Sequence, residues 1–380
     1  MRKIVIASDS FKGSLSSAEV ADAAALAIHK VYPDCEVIKI PVADGGEGTV
    51  AALTALTGGK IITCSVHDPY MRLIEANYGV LGNGRTAIIE MSAASGLSLV
   101  APDERNPWLT TTYGTGELIL DALQRGCTDL LIGIGGSATN DAGTGMLRAL
   151  GFVFYDGESN ELKPCGGILH KIAYVDNAGV TPLLANATFT IACDVNNPFC
   201  GKNGAAYVYG AQKGADDGMI EALDKGMAHF AQVIYKTTNK DIRLLSGAGA
   251  AGGLGGAFVA FLNGRLQSGI DMVLEAIGFE QRIEHADLII TGEGRIDAQS
   301  CMGKTPVGVL RYAQKKQIPV IAIAGAIADD EIVSQAGFLA VVPLLPAPVS
   351  ITQAMDKEFT EKNISRTIVQ LLRLIQFYKD

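Results

Sequence analysis

The sequence has few of the residues from which disulfide scaffolds and histidine-based metal centres are built. Its seven cysteines are scattered and contain no Cys-x-x-Cys pair, and its five histidines contain no His-x-x-x-His. We therefore expect reduced thiols in a cytoplasmic protein, and neither a zinc site nor a histidine metal centre. The longest apolar run, residues 318–328, contains a glycine and is too short to cross a bilayer, so no membrane is expected as a partner.

Positive charge is also scarce, because 31 lysines and arginines face 40 aspartates and glutamates and give a formal net charge of −9. A general nucleic-acid binder needs a basic surface, so nucleic acid is not expected as a partner. Glycine, by contrast, is abundant, at 44 of 380 residues. Its clusters between apolar runs indicate tight turns or close approach of the backbone to a ligand.

Both ends of the chain have the pattern of a parallel α/β domain. Two apolar strands, 4–7 and 36–42, flank a helix that begins with the capping box Ser16-Ser17-Ala18-Glu19, and such a β-α-β unit has parallel strands. A further helix is expected to end near Thr57. The C-terminal part alternates in the same way, with strands predicted at 288–291, 320–324 and 339–342 and helices at 306–316, 329–335 and 362–378.

The middle of the chain has a different pattern. Gly82-Asn83-Gly84-Arg85 separates apolar runs at 73–80 and 86–91, which is a hairpin signal for antiparallel strands. We therefore predict an α/β fold of two domains. One has a parallel sheet built from both ends of the chain, and the other is a mixed α/β domain inserted between them.

An acidic glycine loop, Asp44-Gly45-Gly46-Glu47-Gly48, lies between a predicted strand and a predicted helix. The amides of a helix N-terminus suit anions, whereas the two carboxylates suit a Mg²⁺ ion or a substrate hydroxyl. A simple helix cap at Asp44 with turn glycines explains the same residues equally well.

A second acidic glycine stretch, residues 291–297, also follows a predicted strand. Its Glu293 and Asp297 can hold a metal or accept a proton, and Arg295 can neutralise charge on a transferring phosphoryl group. Lys304 then opens the next helix. This segment resembles the end of a P-loop, but the earlier glycine is absent, so it is not a Walker A sequence.

The longest glycine-rich loop, residues 133–145, follows a strand predicted at 130–134. Its amides and hydroxyls have the composition of a phosphate cradle. The same loop contains a G-x-G-x-x-A pattern, and Asp156 follows at the spacing of a dinucleotide fingerprint, which makes a nicotinamide-dependent hydroxy-acid dehydrogenase the alternative function. Against that alternative, the helix does not begin directly after the glycines.

Three weaker signals remain. Gly249 belongs to a second glycine cluster that fits close helix packing and nucleotide contact about equally. Asp194 follows a strand at 189–193, where it is a base, a metal ligand or the start of an Asx turn. Lys213 and Lys12 stand in polar loops after strands.

Together, acids, cations and amide-rich loops at strand ends fit Mg²⁺-assisted phosphoryl transfer better than hydrolysis or hydride transfer.

Taken in order along the chain, these segments resemble the bacterial glycerate kinase family over essentially the whole sequence. The resemblance rests on Asp9-Ser10-Phe11-Lys12, Pro41 to Gly48, Gly114-Thr115-Gly116-Glu117-Leu118, Gly133 to Asp141, Ala192-Cys193-Asp194-Val195, Gly247 to Gly255 and Thr291 to Asp297.

The resemblance implies phosphorylation of D-glycerate by Mg-ATP, giving 2-phosphoglycerate, with ATP and Mg²⁺ as cofactors; a homodimer is compatible with it. It also implies a discontinuous flavodoxin- or Rossmann-like domain of residues 1–65 and 284–380. The inserted domain, residues 66–283, would resemble a restriction-endonuclease fold.

Our hypothesis for the site follows from the shared position of its residues at strand ends. Asp194 is the first choice for the base, with Asp44 or Asp297 as alternatives, and Lys12, Arg295 and Lys304 offset charge. The predicted metal ligands are Asp44, Glu47 and Glu293. The predicted substrate- and nucleotide-binding residues are Ser10, Gly45, Gly46, Gly135, Gly136, Ser137, Thr139, Asn140, Lys213, Gly249 and Lys304.

Overall fold

The structure, a computed structural model, describes residues 1–42, 45–46, 48–297, 300, 303–328 and 330–379. Contacts between Cα atoms divide the chain into two compact units. The terminal unit comprises Met1–Asp44 and Val273–Asp380, and the inner unit comprises Gly45–Met272. No helix among the described residues is both long enough and apolar enough to span a membrane.

The described residues form thirteen strands, which are β1 Lys3–Ser8, β2 Glu36–Pro41, β3 Lys60–His67, β4 Leu73–Val80, β5 Thr86–Glu90, β6 Asp129–Gly133, β7 Val153–Tyr155, β8 Tyr174–Asp176, β9 Thr188–Ala192, β10 Arg265–Gln267, β11 Leu288–Ile296, β12 Val320–Ile327 and β13 Ala340–Pro343. Their α-helices are Ser17–His29, Thr49–Thr57, Ser92–Ser95, Tyr113–Gln124, Thr144–Ala149, Ala205–Tyr209, Asp217–Thr238, Ala250–Leu262, Gly269–Ala276, Phe279–Arg282, Thr305–Lys315, Asp330–Gln335, Ile351–Ala354 and Lys357–Lys379.

The terminal unit has one parallel sheet in the order β2-β1-β11-β12-β13. Strands from the two ends of the chain are direct neighbours, since β1 pairs with β11 from Ile4 opposite Leu288 to Ser8 opposite Gly292. Together with the helices Ser17–His29 and Lys357–Lys379, these strands form a buried core. The prediction of an α/β fold with a parallel sheet drawn from both ends is confirmed.

Strand β11 is longer than the sequence predicted. The expected strand ended at residue 291 and was followed by a turn, whereas β11 continues to Ile296. The reason is the neighbouring strand, because β12 pairs with this extension and places Glu293 opposite Ala324 and Arg295 opposite Ala326. The second acidic glycine stretch is therefore mostly strand.

The inner unit has a six-stranded mixed sheet in the order β10-β9-β6-β5-β4-β3. Strands β3, β4 and β5 are antiparallel neighbours, which confirms the predicted hairpin, and β5, β6, β9 and β10 run parallel. Because β3 pairs with β4, residues 60–65 belong to this second sheet. The borders of the two units, after residues 44 and 272, thus lie earlier than the predicted borders after residues 65 and 283.

Candidate active site

A cavity of about 550 Å³ lies at the carboxyl ends of the strands in the terminal unit. The last residues of β11 and β12 line it together with the segments that follow β1 and β13, and the C-terminal helices complete it. The sheet order places the central pair, β1 and β11, where an open α/β sheet changes the direction of its strand order. Ligands bind at this point in open α/β folds.

Part of the cavity lining is charged. It consists of Asp9, Lys12, Glu293, Arg295 and Lys304. Lys12 is exposed, and the side chain of Arg295 is 67% exposed. The predicted cations Lys12, Arg295 and Lys304 therefore line one cavity together with Glu293, as their shared position at strand ends implied.

Glu293 is the most constrained of these residues, with a side chain that is only 8% exposed. Its Oε1 atom has no hydrogen-bond partner among the described residues. Burial raises the pKa of this carboxyl to about 7, and the charges of Asp9 and Asp297 act in the same direction. This oxygen can coordinate a cation or accept a hydrogen bond from a hydroxyl group.

Asp9 is a residue to which the sequence assigned no role. Its Oδ1 accepts a hydrogen bond from the Ser10 backbone N–H at 2.6 Å, and its Oδ2 accepts from the Thr305 hydroxyl at 3.2 Å. Ser10 also lines the cavity. The position of Asp9 directly after β1 is the signal that would have identified it, because Ser8 pairs with Gly292 and Glu293 is the next residue of the adjacent strand.

Asp297 is held within its own turn. Its Oδ1 accepts from the Ser300 backbone N–H at 3.2 Å, and its Oδ2 lies 3.3 Å from Nε of Arg295. Asp297 thus orients Arg295 at the rim of the cavity.

The cavity lining also contains apolar side chains, which are those of Phe11, Leu344, Ile351 and Met355. Asn363 lines the cavity too and is only 4% exposed, yet its Nδ2 atom has no hydrogen-bond partner among the described residues. No local pattern indicated Asn363, since a single asparagine on a long C-terminal helix is usually a surface residue.

In the inner unit, three predicted site residues stand at the carboxyl ends of parallel strands. Gly135 and Gly136 follow β6 and are exposed, and Asp194 follows β9 and is also exposed. Because β6 and β9 are adjacent and parallel, these residues share one edge of the sheet. Asp194 Oδ1 accepts a hydrogen bond from the Gly269 backbone N–H at 3.0 Å, which fixes the carboxylate's orientation.

Of the first acidic glycine loop, Asp44 and Glu47 lie outside the described residues. Gly45 is buried at φ +84°, and a Cβ atom there would lie 2.7 Å from Cβ of Ala192 and 2.9 Å from Cα of Gly269. No larger residue fits at this position. The Gly46 carbonyl accepts from the Thr49 hydroxyl at 2.7 Å, at the start of the helix.

Lys213 is buried and holds the long glycine-rich loop, residues 133–145, through two hydrogen bonds. It is 2% exposed, and its Nζ donates to the Ser137 hydroxyl and to the Thr139 carbonyl, both at 2.7 Å. Burial lowers its pKa to about 7. Thr139 and Asn140 are fully buried, so within the inner unit these residues hold the loop, and its exposed atoms belong to Gly135 and Gly136.

A buried carboxylate holds the other end of the same loop. Asp141 is fully buried, and its Oδ2 accepts from the Thr112 backbone N–H and hydroxyl, both at 2.8 Å, and from the Gly145 N–H at 3.0 Å. Its Oδ1 accepts from the Gly143 N–H at 3.1 Å. Desolvation raises the pKa of this carboxyl. The sequence did not indicate this network, because Thr112 and Asp141 are distant along the chain.

Gly249 supports the packing interpretation of the second glycine cluster. It is buried, its N–H donates to the Asn197 carbonyl at 3.0 Å, and a Cβ atom would lie 2.2 Å from the Pro198 carbonyl oxygen. Glycine is required here because two backbone segments approach each other closely.

The alternative prediction of a dinucleotide-binding unit, based on the glycine pattern near Gly135 and on Asp156, is wrong. Strand β7, which precedes Asp156, pairs with β8 in a separate two-stranded sheet and is not a neighbour of β6. Asp156 Oδ1 accepts from the backbone N–H groups of Glu158 and Asn160, both at 2.9 Å. It therefore closes a local turn, and no β-α-β unit places it near Gly135.

One question about the charged side chains is whether they form a metal cluster. Within the described parts of the chain, no group of three or more His, Cys, Asp or Glu side chains has the arrangement of a metal site. Glu293, with its unpaired oxygen, is the one predicted metal ligand that the structure describes. Magnesium commonly binds through one or two carboxylates together with substrate phosphates, so such a partial protein site fits its chemistry.

Comparisons with known proteins support one family. The model of the glycerate kinase family matches residues 4–376. A glycerate kinase from Bacillus subtilis is 47% identical over 375 residues, covering 98% of each chain. A glycerate 2-kinase from Escherichia coli is 46% identical over 372 residues, covering 96% of this chain and 98% of its own.

A crystal structure from Salmonella typhimurium LT2, provisionally named glycerate kinase 2, superposes with a TM-score of 0.91 at 42% identity. It covers 100% of this chain and 99% of its own. The resemblance seen in the motifs is confirmed: the chain belongs to the glycerate kinase family.

Proposed function

We propose that this member of the glycerate kinase family transfers the γ-phosphoryl group of Mg-ATP to D-glycerate and produces 2-phosphoglycerate. The observation that carries the proposal is the charged lining of the terminal-unit cavity, where Lys12, Arg295 and Lys304 accompany the buried Glu293. The name of the Escherichia coli relative, glycerate 2-kinase, supports the choice of the 2-hydroxyl.

Phosphoryl transfer depends on positioning and on neutralising charge, because the transferring group spreads negative charge over its oxygens. Lys12 and Lys304 offset the charge of the phosphates and of the glycerate carboxylate. Arg295, which Asp297 holds at 3.3 Å, donates to the moving phosphoryl group. Its planar guanidinium suits phosphate oxygens better than a lysine would.

Magnesium fits at Glu293, because the buried Oε1 lacks a partner among the described residues and the charge of Asp9 acts on the same carboxyl. When bound, the ion supplies further neutralisation of the phosphates. Asp44 and Glu47, outside the described residues, stay predicted as further ligands.

Asp194 is our choice for the group that orients or deprotonates the attacking hydroxyl. Its carboxylate is exposed at a strand end and oriented by the Gly269 N–H at 3.0 Å. Asp297 is a weaker choice because its carboxylate is engaged by Ser300 and Arg295. Asp44 stays an alternative on its sequence position.

The decisive assay couples ADP release to D-glycerate in the presence of Mg-ATP, and NMR of the product distinguishes 2- from 3-phosphoglycerate. A folded preparation that releases no ADP above the control without glycerate would refute the kinase proposal.

Asp194→Asn tests the assignment of the base, and we expect a loss of kcat of about 10²–10⁴-fold. Asp103→Asn, at an exposed aspartate of the same unit, is the matched control and should retain full turnover. Near wild-type kcat in the Asp194 variant would transfer the role to another carboxylate.

A further inference from the structure

We propose that the cavity of the terminal unit holds the adenine nucleoside of ATP, with Asn363 Nδ2 donating a hydrogen bond to a ring nitrogen of the base. This inference rests on the proposed function, because it takes ATP as the phosphoryl donor. It assigns the apolar side chains of the cavity lining to the base and the charged side chains to the phosphates.

The size and lining of the cavity favour a nucleotide over glycerate. Its volume of about 550 Å³ lies within the roughly 300–1,000 Å³ of sites that bury an organic ligand. Glycerate is far smaller and polar on every side, so it neither fills this space nor needs an apolar wall. A purine has two apolar faces and polar edges, which matches a mixed lining.

Two apolar side chains of the cavity lining are open to solvent. Ile351 is 79% exposed and Met355 is 45% exposed, and both line the cavity. Phe11 and Leu344, which are buried, line it as well. A flexible methionine packs well against aromatic rings, so this lining suits the face of a base.

Asn363 supplies a second and independent observation. Buried polar groups in folded proteins nearly always have a hydrogen-bond partner, whereas Nδ2 of Asn363 has none among the described residues although the side chain is only 4% exposed. The ring nitrogens of adenine are acceptors that carry no hydrogen. A bound adenine would therefore satisfy the donor.

The charges set the direction of the nucleotide. Lys12, Arg295 and Lys304 line the same cavity as Ile351, Met355 and Asn363. In the proposed orientation the phosphates contact the cations, and the base contacts the apolar side chains and Asn363. The reverse orientation would place the phosphates against apolar side chains.

Titration calorimetry with ADP on the full chain tests the proposal. Asn363→Leu keeps the shape of the side chain and removes the donor. We expect ADP to bind about tenfold more weakly, while the melting temperature without nucleotide stays equal or rises, because replacing an unpaired buried amide by an apolar group does not cost stability. A merely structural asparagine would instead lower the melting temperature.

A second substitution in the same cavity keeps the proposal testable if Asn363→Leu does not fold. Ala354→Leu adds bulk to the lining and should weaken ADP binding by tenfold or more, whereas Thr352→Leu, on the same short helix at an exposed position that does not line the cavity, should leave it unchanged. Wild-type ADP affinity in both the Asn363 and the Ala354 variants would overturn the proposal. Variants that bind D-glycerate more weakly but bind ADP as the wild type does would also overturn it.

The coupled assay separates this inference from the function on which it rests. Turnover of D-glycerate with an unchanged KM for ATP in Asn363→Leu would refute the nucleoside cavity and leave the kinase standing. ADP binding that depends on Asn363, in a chain that never phosphorylates glycerate, would support the cavity and refute the kinase.

Discussion

Replacing Lys213 by methionine should change how the stability of the inner unit depends on pH. The ammonium is 2% exposed, and its two donated hydrogen bonds go to the Ser137 hydroxyl and the Thr139 carbonyl. Burial lowers its pKa from 10.5 to about 7. Between these two values the unfolded chain binds more protons than the folded one, so this lysine makes the free energy of unfolding rise with pH.

The size of the change in the free energy of unfolding follows from the pKa shift of Lys213. The cost of burying the charge is fully present below pH 7 and is relieved as the lysine loses its proton in the folded state. Between pH 7 and 9 the wild type should gain about 2 kcal/mol relative to Lys213→Met. All other titrating groups are common to both proteins and cancel in the difference.

The assay is urea unfolding at several pH values, followed by tryptophan fluorescence. The sequence has a single tryptophan, Trp108, and it lies in the inner unit, so the signal reports on the unit that contains Lys213. Lys171→Met, at an exposed lysine of that unit, is the control and should run parallel to the wild type. If the free energy of unfolding of Lys213→Met also followed pH in parallel with the wild type, the lowered pKa of Lys213 would be refuted.

Two further substitutions test the local supports of the fold. Asp141→Ala should lower the free energy of unfolding by about 3 kcal/mol, because it leaves the buried N–H groups of Thr112, Gly143 and Gly145 without an acceptor; a loss below about 1 kcal/mol in the same fluorescence assay would contradict this. Ser16→Ala should cost about 1 kcal/mol through loss of the helix cap. Calorimetry should show a lower melting temperature for it and near wild-type melting for Ser16→Thr, and equal melting of all three proteins would count against the cap.

The sequence predicted local features well where their cause is local. The capping box at Ser16 and Glu19 forms as expected, with the Ser16 N–H donating to Glu19 Oε2 at 2.9 Å. The helix predicted to end near Thr57 ends there. Caps, turns and apolar spacing act over a few residues, so their signals are contained in the sequence itself.

Errors arose where a neighbour distant in the chain decides the outcome. The segment after Thr291 is a strand and not a turn because β12 pairs with it. The G-x-G-x-x-A pattern near Gly135 and the spacing to Asp156 matched a fingerprint, but β7 joins a different sheet. Spacing along the chain could not distinguish these cases, since both depend on which strands become neighbours.

The sequence by itself determined that cations and carboxylates gather at strand ends, because parallel strands separated by helices place their carboxyl ends on one edge. Only the tertiary structure decided which of them are accessible. Lys12 and Lys213 occupy similar polar loops in the sequence, yet Lys12 is exposed and lines a cavity while Lys213 is buried beneath a loop. Burial depends on packing between distant segments. This packing also leaves polar atoms of Glu293 and Asn363 without a hydrogen-bond partner among the described residues, which no local pattern could reveal.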